Sequence, residues 1–156
     1  EQVTPLSEMS SKGVRISLGT DGAASNDNSN LMHCIHSAYM LQALVSRKTD
    51  FPVPEPKEFL NFATRGGANC LGRSDIACLK EGMAADLFAL DTNKLDYVGA
   101  KHDPTSLIPK MGVGEYVDLT MINGKFVWRN SELVGLDEKK LTFDAVAQLN
   151  RVVYET

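Results

Sequence analysis

The chain has 156 residues, of which 43% are hydrophobic and 23% charged, and its net charge is −4. That balance excludes a disordered, collagenous or coiled-coil chain, and without clustered Lys and Arg no nucleic-acid partner is expected. No apolar run approaches the ~18 residues of a membrane span and no basic-then-apolar leader opens the chain, so no membrane partner is expected.

Residues 5–12 read as a short helix closed by Gly13, a residue suited to a left-handed cap. Val14, Ile16 and Leu18 then alternate with Arg15 and Ser17, which predicts a strand over 14–19. Thr20-Asp21-Gly22 ends it, and residues 23–30 form a loop of small polar side chains. Ser29 or Asn30 caps a helix running from Leu31 to about Ser46, with Leu31, Ile35, Ala38, Leu41 and Val45 along one face. Phe51-Pro-Val-Pro-Glu-Pro56 is a stiff connector that places Pro56 as the first residue of a helix reaching Leu71 and stopping at Gly72. Gly66-Gly67 inside that helix costs ~1 kcal/mol per glycine relative to Ala, which is expected where another backbone packs closely.

Past Gly72 the character changes. A turn over 82–86 leads into a strand over 87–90, followed by a polar stretch containing Lys101-His-Asp-Pro104. Strands over 117–123 and 125–129 join around Asn123-Gly124, a hairpin signal because both residues tolerate positive φ. Residues 133–134 add a short strand, and Thr142 caps a terminal amphipathic helix over 142–153. The pattern divides the chain into residues 1–75, 76–136 and 137–156. The opening Glu1-Gln-Val-Thr-Pro5 has no initiator Met and reads as a chain entered midway or trimmed. Three cysteines, odd in number and without Cys-x-x-Cys spacing, fit packing roles in a reducing, cytoplasmic compartment.

Asp21 is the focal residue. Loops that follow strand carboxyl ends converge on active sites in α/β folds, so a carboxylate there reaches a metal or takes a proton. An Asp-Gly pair that ends a strand is equally a plain turn, and local pattern favours the turn. Two histidines, His33 and His36, share a helix face; they read as a solvated or packed pair, with a two-imidazole metal grip as the alternative. His102 reads as a loop cap, or as a substrate or interface contact. Arg65 reads as a structural ion-pair partner, or as a guanidinium offered to an anion.

Context changes the weight on Asp21. The run Leu18-Gly-Thr-Asp-Gly-Ala-Ala-Ser-Asn-Asp-Asn-Ser-Asn-Leu-Met32 resembles the last-strand motif of the amidohydrolase superfamily, in its aminohydrolase and deaminase branch. Ala63-Thr-Arg-Gly-Gly-Ala-Asn-Cys-Leu-Gly72 is similar to the helix after the barrel in that branch. The runs Leu79-Lys-Glu-Gly-Met-Ala-Ala-Asp-Leu87 and Val117-Asp-Leu-Thr-Met-Ile-Asn-Gly-Lys-Phe-Val127 look like its return to a small β-sandwich. That branch includes 8-oxoguanine deaminase-like and hydroxyatrazine hydrolase-like members, and Ala100-Lys-His-Asp-Pro104, with Ser25-Asn-Asp27, leans the resemblance towards the 8-oxoguanine deaminase-like ones.

The resemblance implies an α/β fold: the carboxy-terminal part of a metal-dependent hydrolase (β/α)8 barrel, plus strands of a composite β-sandwich. It implies deamination, the hydrolysis of a carbon–nitrogen bond in an aminated purine, pyrimidine or triazine ring. One divalent metal, zinc or iron, lowers the pKa of its bound water, and carboxylates move the proton. By the same resemblance Asp21 is the catalytic proton shuttle and a metal neighbour. Ser25 and Asn26 lie near the heteroaromatic substrate, or else hold the loop through side-chain-to-backbone bonds. The family's His-x-His pair, later histidines and catalytic glutamate have no counterpart here, so this segment alone is expected to be inactive. Its implied partners are the missing amino-terminal part of the same protein and further copies of itself, since incomplete sheets leave open edges. The alternative from a different class is a non-catalytic assembly or binding module.

Overall fold

The computed structural model describes residues 3–26 and 28–154. The chain folds as two compact units. One comprises the residues up to Ala84 together with Asp91–Tyr116; the other comprises Ala85–Leu90 and the residues from Val117 on.

The first unit is helical. Helix α1 (Leu6–Ser11) ends as expected at Gly13, whose φ of 70° lets the Gly13 and Val14 amides turn back onto the Ser10 and Met9 carbonyls. Helix α2 (Leu31–Val45) starts at Asn30, whose side chain accepts from the Met32 amide at 2.9 Å. A buried glutamine fastens the two helices. Gln42 is 1% exposed; its Oε1 accepts from the Ser7 amide and hydroxyl at 3.2 and 3.3 Å, and its Nε2 donates to the Thr4 carbonyl at 2.8 Å. Burying an amide is tolerable because both of its ends are satisfied. The inward face of α2 therefore runs through Ile35 and Gln42, and Leu41, assigned to that face by periodicity, is 44% exposed.

Pro56 opens helix α3 (Pro56–Asn61), which widens into a π-turn (Phe62–Gly66) and closes as α4 (Gly67–Cys70). Gly72, at φ 67°, stops it, as the sequence indicates. Phe59 is fully buried between Tyr39 and Phe62, edge-to-face on both sides with centroids 5.3 and 5.6 Å away. The expected close approach is at Gly66: a Cβ built there would lie 2.1 Å from the Ile16 carbonyl oxygen.

The passing backbone is the segment 14–19, and here the expectation of a strand fails. It is extended but carries no ladder; beyond the Val14 amide's bond back to α1, its described backbone bond to a neighbouring element is from the Leu18 amide to the Phe62 carbonyl, 3.2 Å. Alternation places Ile16 inward, yet a strand needs a second strand beside it, and among the described residues none pairs with this segment.

The stretch read as merely polar is a string of short helical turns: two tight ones, Leu95–Lys101 and Pro104–Ser106, and a wider π-turn, Leu107–Met111. Leu107, Ile108 and Pro109 are buried there. Asp103, not His102, makes the cap: its carboxylate accepts from the Thr105 hydroxyl at 2.6 Å and from the Ser106 hydroxyl. These two bonds, the Ser106 one foremost, hold the Asp103 carboxyl below its ordinary pKa. His36 joins α2 to this string, its Nδ1 lying 2.9 Å from the Pro109 carbonyl oxygen, and Gly112 (φ 71°) passes against its ring.

The second unit is a four-stranded antiparallel sheet in the order β1-β2-β3-β4: β1 (Leu87–Ala89), β2 (Leu119–Ile122), β3 (Lys125–Arg129) and β4 (Glu132–Leu133). The β2–β3 turn falls at Asn123 (φ 48°) and Gly124 (φ 76°), the two-residue hairpin expected. Asp86 braces it, its Oδ1 accepting from the Asn123 amide at 2.7 Å. Helix α5 (Glu138–Tyr154) begins four residues before the expected Thr142 cap. Asp137 does the capping, accepting from the Lys140 amide at 2.9 Å, while the Thr142 hydroxyl turns back to the Glu138 carbonyl. No helix among the described residues is long and apolar enough to cross a membrane.

Candidate active site

Asp21 sits where the extended segment ends. Its φ of 63° lies in the left-handed region, which costs an L-residue roughly 1–2 kcal/mol and is visited by Asp when its side chain finds a local bond. That bond is present: Oδ1 accepts from the Gly22 amide at 2.7 Å. The carboxylate is exposed. A groove of about 530 Å³ is lined by Ser17, Leu18, Gly19, Cys34, Ala38 and Leu41 among others; Asp21, Ser25 and Asn26 are not in its lining.

Ser25 and Asn26 are brought onto the same turn as Asp21, because the Gly22 carbonyl accepts from both of their amides, at 2.9 and 3.0 Å. Ser25 is exposed and Asn26 half-buried. The Asn26 amide group is engaged on both sides: Oδ1 accepts from the Asn28 amide at 3.2 Å, and Nδ2 lies 3.8 Å from Cys34 Sγ. Asn28 repeats the device, its Oδ1 accepting from the Asn30 amide at 2.9 Å. Alternate asparagines at 26, 28 and 30 thus bond the backbone two residues on, down to the cap of α2. Asp27 lies outside the described residues.

The two helical histidines serve different neighbours. His33 Nδ1 is 2.8 Å from Asn28 Nδ2, whereas His36 is committed to the Pro109 carbonyl. His102 is exposed. Among the described residues no group of three His, Cys, Asp or Glu side chains is placed to hold a metal. Arg65 is exposed, and the ion pair expected of it is not formed among the described residues. Of the three free cysteines, Cys34 and Cys78 are half-buried, but Cys70 is exposed, against the packing role expected of it. Sequence reasoning singled out His33 but not its tie to the loop, and it missed Asn28 and Cys34; the alternating asparagines were the signal available for the loop.

Residues 1–127 match the model of the amidohydrolase family, and the chain belongs to that family. It is 51% identical to the hydroxydechloroatrazine ethylaminohydrolase of Pseudomonas sp. strain ADP, over 98% of this chain and 32% of the relative. It is 35% identical to a 5-methylthioadenosine/S-adenosylhomocysteine deaminase of Pelotomaculum thermopropionicum, over 97% of this chain and 34% of the relative. Among solved structures it superposes on an atrazine chlorohydrolase of Arthrobacter aurescens complexed with zinc and atraton. That match has a TM-score of 0.83 and 31% identity, over 93% of this chain and 32% of the other. A zinc-bound adenosine deaminase of Xanthomonas campestris matches at TM-score 0.82 and 27% identity, over 95% of this chain and 33% of the other. The chain spans about a third of the length of these relatives.

Proposed function

We propose that this chain is the catalytic-aspartate segment of a complete protein that hydrolyses a carbon–nitrogen bond in an aminated heteroaromatic ring, a triazine or an adenosine-type purine. The observation that carries the reading is the 51% identity, over 98% of the chain, with hydroxydechloroatrazine ethylaminohydrolase. In this reading the segment 14–19 is the last strand of a (β/α)8 barrel, residues 1–75 complete that barrel, residues 76–136 belong to a composite β-sandwich and residues 137–156 form its terminal helix. The remainder of the protein and further copies of it cover the open edges of β1 and β4, and the free cysteines suit a cytoplasmic location.

The residues present do not by themselves fit a metal. Zinc takes three or four protein ligands, and Asp21 is one carboxylate with no such group around it among the described residues. A divalent ion, zinc or iron, belongs to the complete protein in this reading, with its histidine ligands outside this segment. What Asp21 supplies is an exposed carboxylate whose Oδ1 is already bonded to the Gly22 amide. Its other oxygen takes a proton from the attacking water and returns it to the departing amine. Ser25 offers a hydroxyl to the ring from the same turn, and Asn26 stands beside it.

The test is turnover by the full-length protein, supplied with zinc, of hydroxydechloroatrazine and of adenosine, read as amine or ammonia release. Turnover of one of them, lost in Asp21→Asn with the melting temperature unchanged, is expected. Full activity in Asp21→Asn removes Asp21 from the mechanism.

A further inference from the structure

We infer that His33 is a positioning residue, whose imidazole Nδ1 holds the Asp21 loop against the first turn of α2 by accepting from the Asn28 side-chain amide. This rests on the role proposed for Asp21 and adds to it a residue that carries no chemistry of its own.

The loop from Asp21 to Asn30 has almost no apolar anchor, since Ala23 and Ala24 are exposed. Its shape therefore depends on polar ties. The Gly22 carbonyl gathers the Ser25 and Asn26 amides, Asn26 bonds forward to Asn28, and Asn28 bonds forward to Asn30. All of these lie within the loop and leave it free to swing about its ends. Besides the Asn30 cap at the loop's end, two contacts among the described residues reach α2: Asn26 Nδ2 to Cys34 Sγ at 3.8 Å and Asn28 Nδ2 to His33 Nδ1 at 2.8 Å. A thiol sulfur is a weak acceptor and an imidazole nitrogen a strong one, so the second tie is the stronger.

Its direction is fixed by the network. Asn28 Oδ1 is taken by the Asn30 amide, which leaves only the NH2 to face His33. Nδ1 must then be the acceptor, and the ring proton is assigned to Nε2. Asparagine at position 33 would restore an acceptor close to where Nδ1 stands, since Oδ1 of Asn and Nδ1 of His branch from the same carbon position; alanine would not.

The experiment compares His33→Ala and His33→Asn in the full-length protein, with whichever of hydroxydechloroatrazine and adenosine it turns over, alongside Asp21→Asn. A misplacement of about 1 Å at a reacting group costs on the order of 100-fold in rate. Loosening one of two ties is therefore expected to lower kcat roughly 10-fold in His33→Ala, with KM changed far less. His33→Asn is expected to recover most of that loss. Position 33 is exposed, so melting temperatures should stay within the small range of surface substitutions. An inactive Asp21→Asn beside a His33→Ala enzyme of unchanged kcat overturns this inference alone. So does a His33→Asn enzyme as slow as His33→Ala. A fully active Asp21→Asn overturns the proposed function itself, whatever the His33 variants do.

Discussion

Adjacent glycines in one helix should respond to alanine in opposite directions. Both Gly66 and Gly67 have ordinary helical φ values, each −59°, so backbone propensity alone favours alanine at each by about 1 kcal/mol. At Gly67 a Cβ meets only Ser17 Oγ at 3.6 Å, an ordinary contact, and the gain should survive. At Gly66 the same atom would stand 2.1 Å from the Ile16 carbonyl oxygen, 3.2 Å from its carbon and 3.3 Å from the Asn61 carbonyl oxygen. All three are backbone atoms, so no side chain can swing aside. Relief requires the segment 14–19 and the π-turn to separate by roughly 1 Å. Overpacking of this kind costs about 3 kcal/mol at the upper end of its usual range, and subtracting the propensity gain leaves a net loss of about 2 kcal/mol. Because Ile16 lies five residues before Asp21 on an extended backbone, the displacement should also reach the site. Urea denaturation of the full-length protein, followed by tryptophan fluorescence and by activity, measures both effects. The expected order of midpoints is Gly67→Ala above wild type above Gly66→Ala. A Gly66→Ala midpoint equal to or above wild type would refute the claim that this backbone contact fixes the helix on the segment.

The glutamine between α1 and α2 gives a second expectation. Gln42→Leu keeps the volume but strands the Ser7 amide, the Ser7 hydroxyl and the Thr4 carbonyl that it now satisfies; a loss of about 3 kcal/mol in denaturant stability is expected, with early proteolysis near α1. The Asp103 cap sets a pH dependence. Its carboxyl is held below the ordinary value, so its contribution is fully present above the unfolded pKa of about 3.9 and disappears as pH falls through the lower, folded pKa. Asp103→Ala should therefore melt below wild type at neutral pH, and the gap should close in strong acid; a gap independent of pH would refute the cap.

What could be read from the sequence was what depends on one residue's backbone. Gly13, Gly72 and the Asn123-Gly124 turn sit where expected because positive φ selects so few residue types, and Pro56 opens its helix for the complementary reason. What failed depended on neighbours. The segment 14–19 alternates like a strand, yet pairing is a property of two segments and one was in view. Leu41 fits the helical period, but the direction in which α2 faces is decided by Gln42, whose buried amide no hydrophobic pattern can announce. The Thr142 cap was plausible by residue type and lost to Asp137, which stands closer to the true first turn.

The same division runs through the site. Asp21 is singled out by its motif, which marks that residue whatever its neighbours do. The loop around it follows a different logic, because any polar side chain of suitable length can tie a loop, and the sequence does not mark which asparagine meets which helix. Asn28 and His33 are five positions apart, beyond the reach of simple helical spacing, and they meet only because Asn30 starts α2 where it does. Residue identity thus singles out the proposed acid, and three-dimensional structure alone discloses what holds its loop. An engineer who deleted Asn28 alone would leave Asp21, Ser25 and Asn26 in place while removing the amide that stands opposite His33.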